Sequence, residues 1–406
     1  MQEKNVDFIS LGCRLNVLES EKITAMLENS GAFADTRALV INTCAVTGEA
    51  ERQSKQAIRK IIRENPGALV FVTGCAVTRA PDEYAKIPGI ARAIKNTDKF
   101  DISAYSDQLP VTSNQFPVSN LQYLSKGFVQ IQNGCNHSCT YCIVSRLRGK
   151  NVSFPYDRIL ADVRALVENG YLEIVLTGVD IAGFRDADGG LDSLCTRLLR
   201  DVSGIARLRL SSLDPAAPLR PMQDLILRDA RMAPHLHLSA QSASDPVLAA
   251  MGRRHSAARL MELCSYSDKI SYSWDLICGF PGETQEMFDE TVSVIRDSGV
   301  IRLHAFPFSP RPGTPAAEMP NQVPRAESKR RVAAATQIAR ENMTKFMAGQ
   351  VGKTVSVLVE ENNLGRDPDD IPVLITGAQV PPKSFVTIRL TGMSSGVSAR
   401  FTGEGA

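Results

Sequence analysis

The sequence predicts an α/β protein in three parts: an N-terminal parallel βα domain (3–105), a central partial (β/α)6 barrel (121–348) and a small C-terminal β domain (349–406). Three observations favour this fold class. Strand and helix patterns alternate in the first part, and the alternation continues through six further units. The last ~57 residues contain only short apolar runs separated by Gly and Pro.

The composition of the 406 residues sets broad limits on function. The chain is 43% hydrophobic and 22% charged, which is typical of a folded globular protein and excludes a collagen-like fibre or a disordered chain. Its net charge of +2 gives no general affinity for nucleic acid, so any such site must be a local patch. No apolar run approaches the ~20 residues of a membrane span, and the first residues lack a signal-peptide pattern. We therefore expect a cytoplasmic protein.

Three cysteines recur at equal spacing in the first part. The strand candidates there are Val6–Leu11, Ala38–Thr43 and Leu69–Thr73. Each ends within two residues of a cysteine, and 31 residues separate Cys13 from Cys44 and Cys44 from Cys75. Because one βαβ repeat takes about 30 residues, each cysteine occupies the carboxyl end of a strand, the edge where open parallel sheets bind ligands. We expect these thiols, the N-terminal thiol site, to converge; the alternative is three unrelated buried cysteines.

The second part contains six strand candidates: Phe128–Gln132, Glu173–Thr177, Arg207–Ser211, His235–Ser239, Ser273–Cys278 and Arg302–Phe306. Helical segments such as Asp157–Asn169 and Thr284–Ser298 lie between them, and a helix over 325–347 follows. In such a series, active-site residues lie at the carboxyl ends of the strands. The stretch 101–121 is rich in Ser, Asn, Pro and Gln and is interpreted as a linker.

The last part predicts a small β domain, such as a barrel, from the runs Val355–Val359, Val373–Thr376 and Phe385–Leu390. Residues 351–406 contain five Lys or Arg and six Asp or Glu, and only two aromatic residues. This composition is weak for RNA binding, so the domain either binds RNA poorly or braces the core.

The sharpest motif is Cys135-x3-Cys139-x2-Cys142, with Tyr141 before its last cysteine, directly after the first strand of the central series. Three thiolates on one short loop can hold three irons of a [4Fe–4S] cluster and leave the fourth iron open to a substrate amine and carboxylate. The alternative is a zinc site completed by His137. The position of these cysteines, the loop thiol site, at the head of a βα series favours the cluster.

The sequence resembles the methylthiotransferase family of radical S-adenosylmethionine enzymes over nearly its whole length. The stretches that carry the resemblance are Leu11–Asn16 with Glu19–Glu21, Asn42–Thr47, Thr73–Cys75, Gly134–Ile143 with Arg148-Gly149, Leu176–Gly178, Leu210–Ser212, Gln241-Ser242, Gly279–Thr284 and Phe308–Pro315. The C-terminal β domain occupies the place of the family's RNA-binding TRAM domain.

The opening Leu-Gly-Cys-Arg-Leu-Asn resembles the branch that acts on threonylcarbamoyladenosine beside the tRNA anticodon. The isopentenyladenosine branch usually has Tyr-Gly-Cys-Gln-Met-Asn, and the branch that modifies a ribosomal-protein aspartate usually has Gly-Cys-Pro-Lys-Asn. Arg14 and Leu15 fit the first pattern best.

The resemblance implies two [4Fe–4S] clusters and S-adenosylmethionine. Cys135, Cys139 and Cys142 would hold the cluster that cleaves S-adenosylmethionine to a 5′-deoxyadenosyl radical, which removes hydrogen from carbon 2 of adenine. Cys13, Cys44 and Cys75 would hold an auxiliary cluster whose sulfur is methylated by a second S-adenosylmethionine and joined to that carbon. The implied partners are the tRNA anticodon stem-loop and an electron donor such as flavodoxin or ferredoxin.

Further residues are candidates for cofactor binding: Tyr141, Thr177, Gly178, Ser211 and Gln241. The backbone at Thr177-Gly178 would meet the methionine amino group, and Ser211, Gln241 and Asp214 would touch the nucleoside. A turn glycine and ordinary structural hydrogen bonds are the alternatives.

Three basic groups are candidate phosphate contacts, although a solvated face is the commoner explanation for any one of them. They are Arg52, Lys55, Arg59, Lys60 and Arg63; Arg146, Arg148 and Lys150; and Arg325, Lys329, Arg330 and Arg331.

Two departures from the family pattern affect the pocket: Val144-Ser145 stands where Pro is common, and Leu238–Ala243 lacks the usual Pro and Gly. The alternative functions are the same chemistry on isopentenyladenosine or a ribosomal-protein aspartate, and a one-cluster radical methylase with structural N-terminal cysteines.

Overall fold

The computed structural model describes residues 5–33, 36–106, 125–377, 379–396 and 399–405. Most of the predicted linker therefore lies outside the described residues. The chain forms two compact units. The first combines the residues up to 106 with Asn133–Val152 and Ser309–Thr314, and the second combines 125–132, Ser153–Phe308 and the residues from Pro315 onwards.

The first unit is built on a four-stranded parallel sheet in the order β1-β2-β3-β4. Its elements are β1 Val6–Ser10, α1 Arg14–Asn29, β2 Ala38–Thr43, α2 Gly48–Glu64, β3 Leu69–Gly74, α3 Cys75–Arg79, α4 Pro81–Ala85, β4 Ile90–Ala93 and a 3-10 turn at Ile102–Ala104. The three predicted strands are confirmed to within one residue. The sequence reading missed β4, because a four-residue strand with a single β-branched residue gives no strand pattern.

Both faces of this sheet are packed, because successive side chains of a strand point to opposite faces. Leu39 and Ile41 of β2 belong to a core cluster with Ile58 of α2. Val40 of β2 belongs to a separate cluster with Ile23 of α1.

The segment after the loop thiol site also belongs to the core of the first unit. Helix α5 spans Val144–Arg148. Ile143 and Leu147 are buried in the same cluster as Ile41 and Ile58. The loop that carries the second cysteine set is therefore anchored on the sheet that carries the first.

The second unit contains the six predicted central strands, all parallel within two three-stranded sheets, β5-β8-β9 and β10-β11-β12. Backbone hydrogen bonds from Leu213 N to His237 O (2.8 Å) and from Ser239 N to Leu213 O (2.9 Å) link the two sheets. The six predicted strands are confirmed, with ends shifted by no more than two residues.

The elements between residues 126 and 348, apart from α5 of the first unit, are β5 Lys126–Gln130, β6 Gln132–Asn133, β7 Val152–Ser153, α6 Tyr156–Glu168, β8 Glu173–Thr177, α7 Leu191–Asp201, β9 Arg207–Leu210, α8 Arg220–Arg228, β10 His235–Gln241, α9 Asp245–Ala250, α10 Ala257–Cys264, β11 Ser271–Cys278, α11 Gln285–Asp297, β12 Arg302–Pro307, α12 Pro315–Glu318 and α13 Arg325–Ala348, with a 3-10 turn at Ile181–Gly183. None of the helices in the described ranges combines the length and apolar character needed to cross a bilayer.

The C-terminal residues form a closed five-stranded barrel in the order β13-β14-β15-β17-β16, as the fold class predicts. Its strands are β13 Thr354–Val359, β14 Leu364–Arg366, β15 Pro372–Thr376, β16 Phe385–Ser394 and β17 Arg400–Gly405. The sequence reading missed β14 and β17, since their Gly, Arg and Glu residues give no apolar run.

An acidic turn of this barrel, residues 367–370, packs against the amino ends of the central strands. Arg207 Nη1 donates to Asp367 O (3.3 Å), and Ser271 Oγ donates to Asp369 Oδ1 (2.6 Å). Lys126 Nζ pairs with the Asp370 carboxylate. The edge opposite the strand carboxyl ends is therefore covered by protein, which supports a bracing role for the barrel.

Glu173 is the buried carboxylate on which this contact depends. It is fully buried and lies 2.6 Å from Arg209 Nε, 3.0 Å from Arg207 Nη1 and 3.4 Å from Lys126 Nζ. Burial alone would raise the pKa of Glu173, but Arg209, Lys126 and Arg207 hold it below the usual value.

We expect Glu173→Gln to destabilise the second unit by about 3–5 kcal/mol, because it leaves buried cations without their carboxylate. Thermal unfolding followed by circular dichroism measures the effect. Glu168→Gln, at the exposed end of α6, is the matched control and should change stability by no more than about 0.5 kcal/mol. Equal melting temperatures for the two variants would contradict the bracing role.

Candidate metal centre

The structure brings the cysteines of the N-terminal thiol site together at the carboxyl edge of the first sheet. Cys13 caps the N-terminus of α1, Cys44 follows β2, and Cys75 begins α3 directly after β3. Cys44 and Cys75 are buried, whereas Cys13 is exposed. Burial, with smaller contributions from the nearby thiolates of Cys13 and Cys75, raises the pKa of Cys44 to about 11. Three thiols this close share one site.

Two glycines allow this close approach. A Cβ on Gly12, whose φ is +124°, would lie 2.4 Å from Cys44 Cβ and 3.0 Å from Cys44 Sγ. A Cβ on Gly74, whose φ is +101°, would lie 2.4 Å from Thr43 O and 2.4 Å from Asn42 Oδ1. Neither contact is tolerable, so the two glycines are required where the strand ends meet.

Asparagine side chains join the loops that follow β1 and β2. Asn16 Nδ2 donates to Leu11 O and to Thr43 O, both at 3.1 Å, and Asn42 Nδ2 donates to Asn16 O at 3.0 Å. In its thiol form Cys13 donates to Asn16 Oδ1 at 3.6 Å. These bonds fix Cys13 and Cys44 relative to each other before any metal binds.

The loop thiol site is held by its own backbone. His137 N donates to Cys135 Sγ and Val144 N donates to Cys142 Sγ, each at 3.4 Å. Cys135 N donates to Gly149 O at 3.0 Å and closes the loop. Backbone N–H groups aimed at sulfur favour thiolates and tune bound iron. All nine cysteines lie in the described residues and are free thiols.

A buried ion network lies beside the N-terminal thiol site. The Arg148 guanidinium binds both oxygens of Glu19, at 2.6 and 3.0 Å, and Asn16 Oδ1 at 3.0 Å. Lys99 Nζ lies 2.7 Å from Glu19 Oε2. The side chains of Glu19, Lys99 and Arg148 are only 1%, 2% and 3% exposed.

The charged groups of this network shift each other's pKa values, and the nearby thiolates contribute to the shift of Arg148. Burial alone would raise the pKa of Glu19, but Lys99 and Arg148 lower it to about 2. Burial alone would lower the pKa of Arg148, but Glu19 and the thiolates of Cys75 and Cys13 raise it above its usual value. Burial lowers the pKa of Lys99, and the Glu19 carboxylate 2.7 Å from its ammonium opposes that shift. One carboxylate thus serves two buried cations, and the net positive charge that remains favours an anionic group at the thiols.

An iron–sulfur cluster fits the residues at both thiol sites. A [4Fe–4S]2+ core on three thiolates carries one net negative charge, which balances the one net positive charge of Glu19, Lys99 and Arg148. Three soft sulfur ligands per site also suit iron–sulfur clusters.

The predicted cofactor residues of the second unit lie at the carboxyl ends of successive strands. Thr177 ends β8, Ser211 follows β9, and Gln241 ends β10. Gln241 has a φ of 69°, which is uncommon for a residue other than glycine, and the register shifts between Leu238 and Gln241. Such strain clusters at functional sites.

The structure requires glycine at position 178 because Gln132 lies too close for a side chain. A Cβ there would lie 2.8 Å from both Gln132 O and Gln132 Oε1. Gln132 Oε1 in turn accepts hydrogen bonds from Val179 N (2.9 Å) and Asp180 N (2.8 Å). The buried Gln132, which the sequence reading missed, therefore shapes the loop after β8.

Other predicted residues are placed differently from expectation. Arg148 and Arg331 are wrong as phosphate contacts, because their side chains are 3% and 6% exposed and pair with Glu19 and Glu283. Asp214 is buried and pairs with Arg253 and Arg254, at 3.2 and 2.9 Å.

Tyr141 is half-buried in the loop of the loop thiol site. The sequence reading missed Asn96 and Lys99, which follow β4. The run Asn96-Thr-Asp-Lys99 looks like an ordinary polar turn, so only the fold reveals its role.

Comparisons with known proteins show which family the chain belongs to. The family model described as Radical SAM superfamily matches residues 129–295, and Uncharacterized protein family UPF0004 matches residues 5–94. The threonylcarbamoyladenosine tRNA methylthiotransferase MtaB of Rickettsia prowazekii is 37% identical over 388 residues, covering 90% of each chain. The chain belongs to the radical S-adenosylmethionine methylthiotransferase family. It is therefore an enzyme of the methylthio-transferring class.

A second relative is named for another substrate. The tRNA-2-methylthio-N(6)-dimethylallyladenosine synthase of Anaplasma marginale is 32% identical, covering 86% of this chain and 83% of its own. Among solved structures, the radical S-adenosylmethionine methyltransferase TsrM of Kitasatospora setae has a TM-score of 0.54 at 18% identity, covering 77% of this chain and 76% of its own. That likeness concerns the fold alone.

The two family models divide the cysteines between them. The N-terminal thiol site lies in the UPF0004 match and the loop thiol site in the Radical SAM match. The Radical SAM family implies one [4Fe–4S] cluster and S-adenosylmethionine, and the loop thiol site has the residues for that cluster.

Proposed function

We propose that this enzyme is a two-cluster tRNA methylthiotransferase that adds a methylthio group to carbon 2 of N6-threonylcarbamoyladenosine beside the anticodon. The observation that carries the proposal is that two sites of three free thiols lie in one compact unit, on a shared core. A one-cluster enzyme would need no second set of thiols fixed by glycines and asparagines at a ligand-binding edge.

The six cysteines have separate tasks in this proposal. Cys135, Cys139 and Cys142 would hold the first cluster, and Cys13, Cys44 and Cys75 the auxiliary one. When bound, the clusters supply the reductive cleavage of S-adenosylmethionine and the sulfur that is transferred. The protein positions them and keeps Cys44 and Cys75 out of water.

The proposal also assigns the S-adenosylmethionine site, the roles of the three domains and the partners. Tyr141, Thr177, Gly178, Ser211 and Gln241 would line the S-adenosylmethionine site. Residues 3–105 would form the auxiliary-cluster domain, 121–348 the radical core and 349–406 a TRAM-like domain. The partners would be a tRNA anticodon stem-loop and an electron donor such as flavodoxin or ferredoxin, with the reaction in the cytoplasm.

A carboxylate-bearing adenosine is the favoured substrate. Relatives named for threonylcarbamoyladenosine are 30–37% identical to this chain, and relatives named for dimethylallyladenosine are 30–32% identical, so identity favours the first group only slightly. Of the two residues that suggested this branch, Leu15 is buried and cannot meet a substrate, whereas Arg14 is exposed at the first position of α1. A guanidinium beside Cys13 at a helix N-terminus suits the threonyl carboxylate, which the dimethylallyl group lacks.

Nucleoside mass spectrometry of tRNA tests the reaction, in a host that lacks its own methylthiotransferases. We expect the wild-type gene to produce a methylthio form of threonylcarbamoyladenosine. Cys135→Ala should abolish 5′-deoxyadenosine formation in vitro, because the first cluster is lost. Cys44→Ala should keep that cleavage and lose sulfur insertion, with Cys195→Ala as a control cysteine outside both sites.

Other outcomes of this experiment would overturn parts of the proposal. Methylthio-dimethylallyladenosine instead would keep the chemistry and refute the substrate. Sulfur insertion by Cys44→Ala would refute the auxiliary site.

Arg14→Gln tests the carboxylate contact. We expect kcat/KM on threonylcarbamoyladenosine tRNA to fall roughly 10- to 100-fold, the worth of a hydrogen bond to a charged group, with iron content unchanged. The matched control is Arg37→Gln, at an exposed arginine that immediately precedes β2 and pairs with Asp7. If both variants kept wild-type kcat/KM, Arg14 would have no part in substrate choice.

A further inference from the structure

The buried network beside the N-terminal thiol site is charged, and the proposed function does not use that charge. Glu19, Lys99 and Arg148 together carry one net positive charge, and all three side chains are almost fully buried. Burying an unbalanced charge is costly, and a hydrophobic set of similar volume would hold the fold as well. The network therefore needs an explanation beyond packing.

Hydrogen bonds connect the network to two of the thiols through the side chains of Asn96 and Asn16. Lys99 Nζ donates to Asn96 Oδ1 at 3.0 Å, and Asn96 Nδ2 donates to Cys75 Sγ at 3.6 Å. The lysine charge thus polarises the amide that faces the sulfur. Arg148 reaches the other side of the site through Asn16, which lies against Cys13.

The network also spans both thiol sites within the first unit. Arg148 ends α5, the helix that follows the loop thiol site, and its neighbour Leu147 accepts a hydrogen bond from Asn96 Nδ2 at 3.2 Å. Glu19 and Asn16 belong to α1, which follows Cys13. One set of salt-bridged side chains therefore holds α1, which follows Cys13, and α5, which follows Cys142, in a fixed arrangement.

We propose that Glu19, Lys99 and Arg148 are positioning residues that fix one positive charge beside the N-terminal thiol site and thereby raise the reduction potential of the cluster bound there. The inference rests on the proposed auxiliary cluster. Reduction adds a negative charge to the cluster, so a nearby cation stabilises the reduced state, and the low dielectric of a buried site strengthens the effect.

A purely structural role makes a different prediction. If the network only held α5 against the first sheet, any substitution in it would damage the site in the same direction. If its charge acts on the cluster, removing a cation and removing the carboxylate must shift the potential in opposite directions. Two neutral variants make this comparison: Glu19→Gln, which is nearly isosteric, and Lys99→Gln, whose side chain is shorter.

The experiment uses the full chain with Cys135, Cys139 and Cys142 replaced by alanine, so that only the N-terminal thiol site can hold iron. After anaerobic reconstitution, iron content is measured, and the midpoint potential is obtained by redox titration followed by EPR. Four proteins are compared: the parent, Lys99→Gln, Glu19→Gln, and the double variant Glu19→Gln/Lys99→Gln, which restores a net charge of one.

We expect ~4 irons per chain in the parent. The potential should fall in Lys99→Gln, rise in Glu19→Gln and return close to the parent in the double variant. If Glu19→Gln does not fold, the inference is still tested by two results: a lower midpoint potential in Lys99→Gln and a return to the parent potential in the double variant. Equal potentials, or shifts of one sign in both single variants, would overturn the inference while leaving the auxiliary cluster in place. A parent without iron would overturn the auxiliary cluster and the inference with it.

Discussion

The first unit depends on a single carboxylate, that of Glu19, shared between Arg148 and Lys99. The ion pairs are buried, so their partners cannot be exchanged for water without a large cost in free energy. They tie α1, the residues after β4 and α5 into one arrangement, and each of these segments adjoins a cysteine or a sulfur-facing amide. Glu19 therefore links the segments that adjoin both thiol sites.

The two ends of the parallel strands in the second unit are built differently. At the amino ends, Glu173 and the turn 367–370 satisfy the buried Arg207, Arg209 and Lys126, so this edge is closed by protein. At the carboxyl ends, Gln241 has a positive φ, and Gln132 lies close against the loop at Gly178. Parallel βα proteins place their ligands at that second edge.

The sequence predicted the features that local patterns encode. Cysteine spacing and strand ends were sufficient to foresee the convergence of Cys13, Cys44 and Cys75, and short apolar runs that alternate with helical patterns located the nine strands of the two parallel series. Features set by long-range burial were not foreseen. In the sequence, Arg148 lies in a basic group that is typical of phosphate contacts. Only the structure shows that it is buried and paired with Glu19, 129 residues away in sequence. Lys99 and β4 carried no pattern because their roles depend on neighbours distant in the chain.

The iron content of the reconstituted protein, with Mössbauer spectra to identify the clusters, tests the central claim most directly. The wild-type chain should hold ~8 irons in two [4Fe–4S] clusters, and replacing either cysteine triad with alanine should leave ~4. A wild-type chain with ~4 irons, unchanged when Cys13, Cys44 and Cys75 are replaced, would contradict the account and leave a one-cluster enzyme with structural N-terminal cysteines.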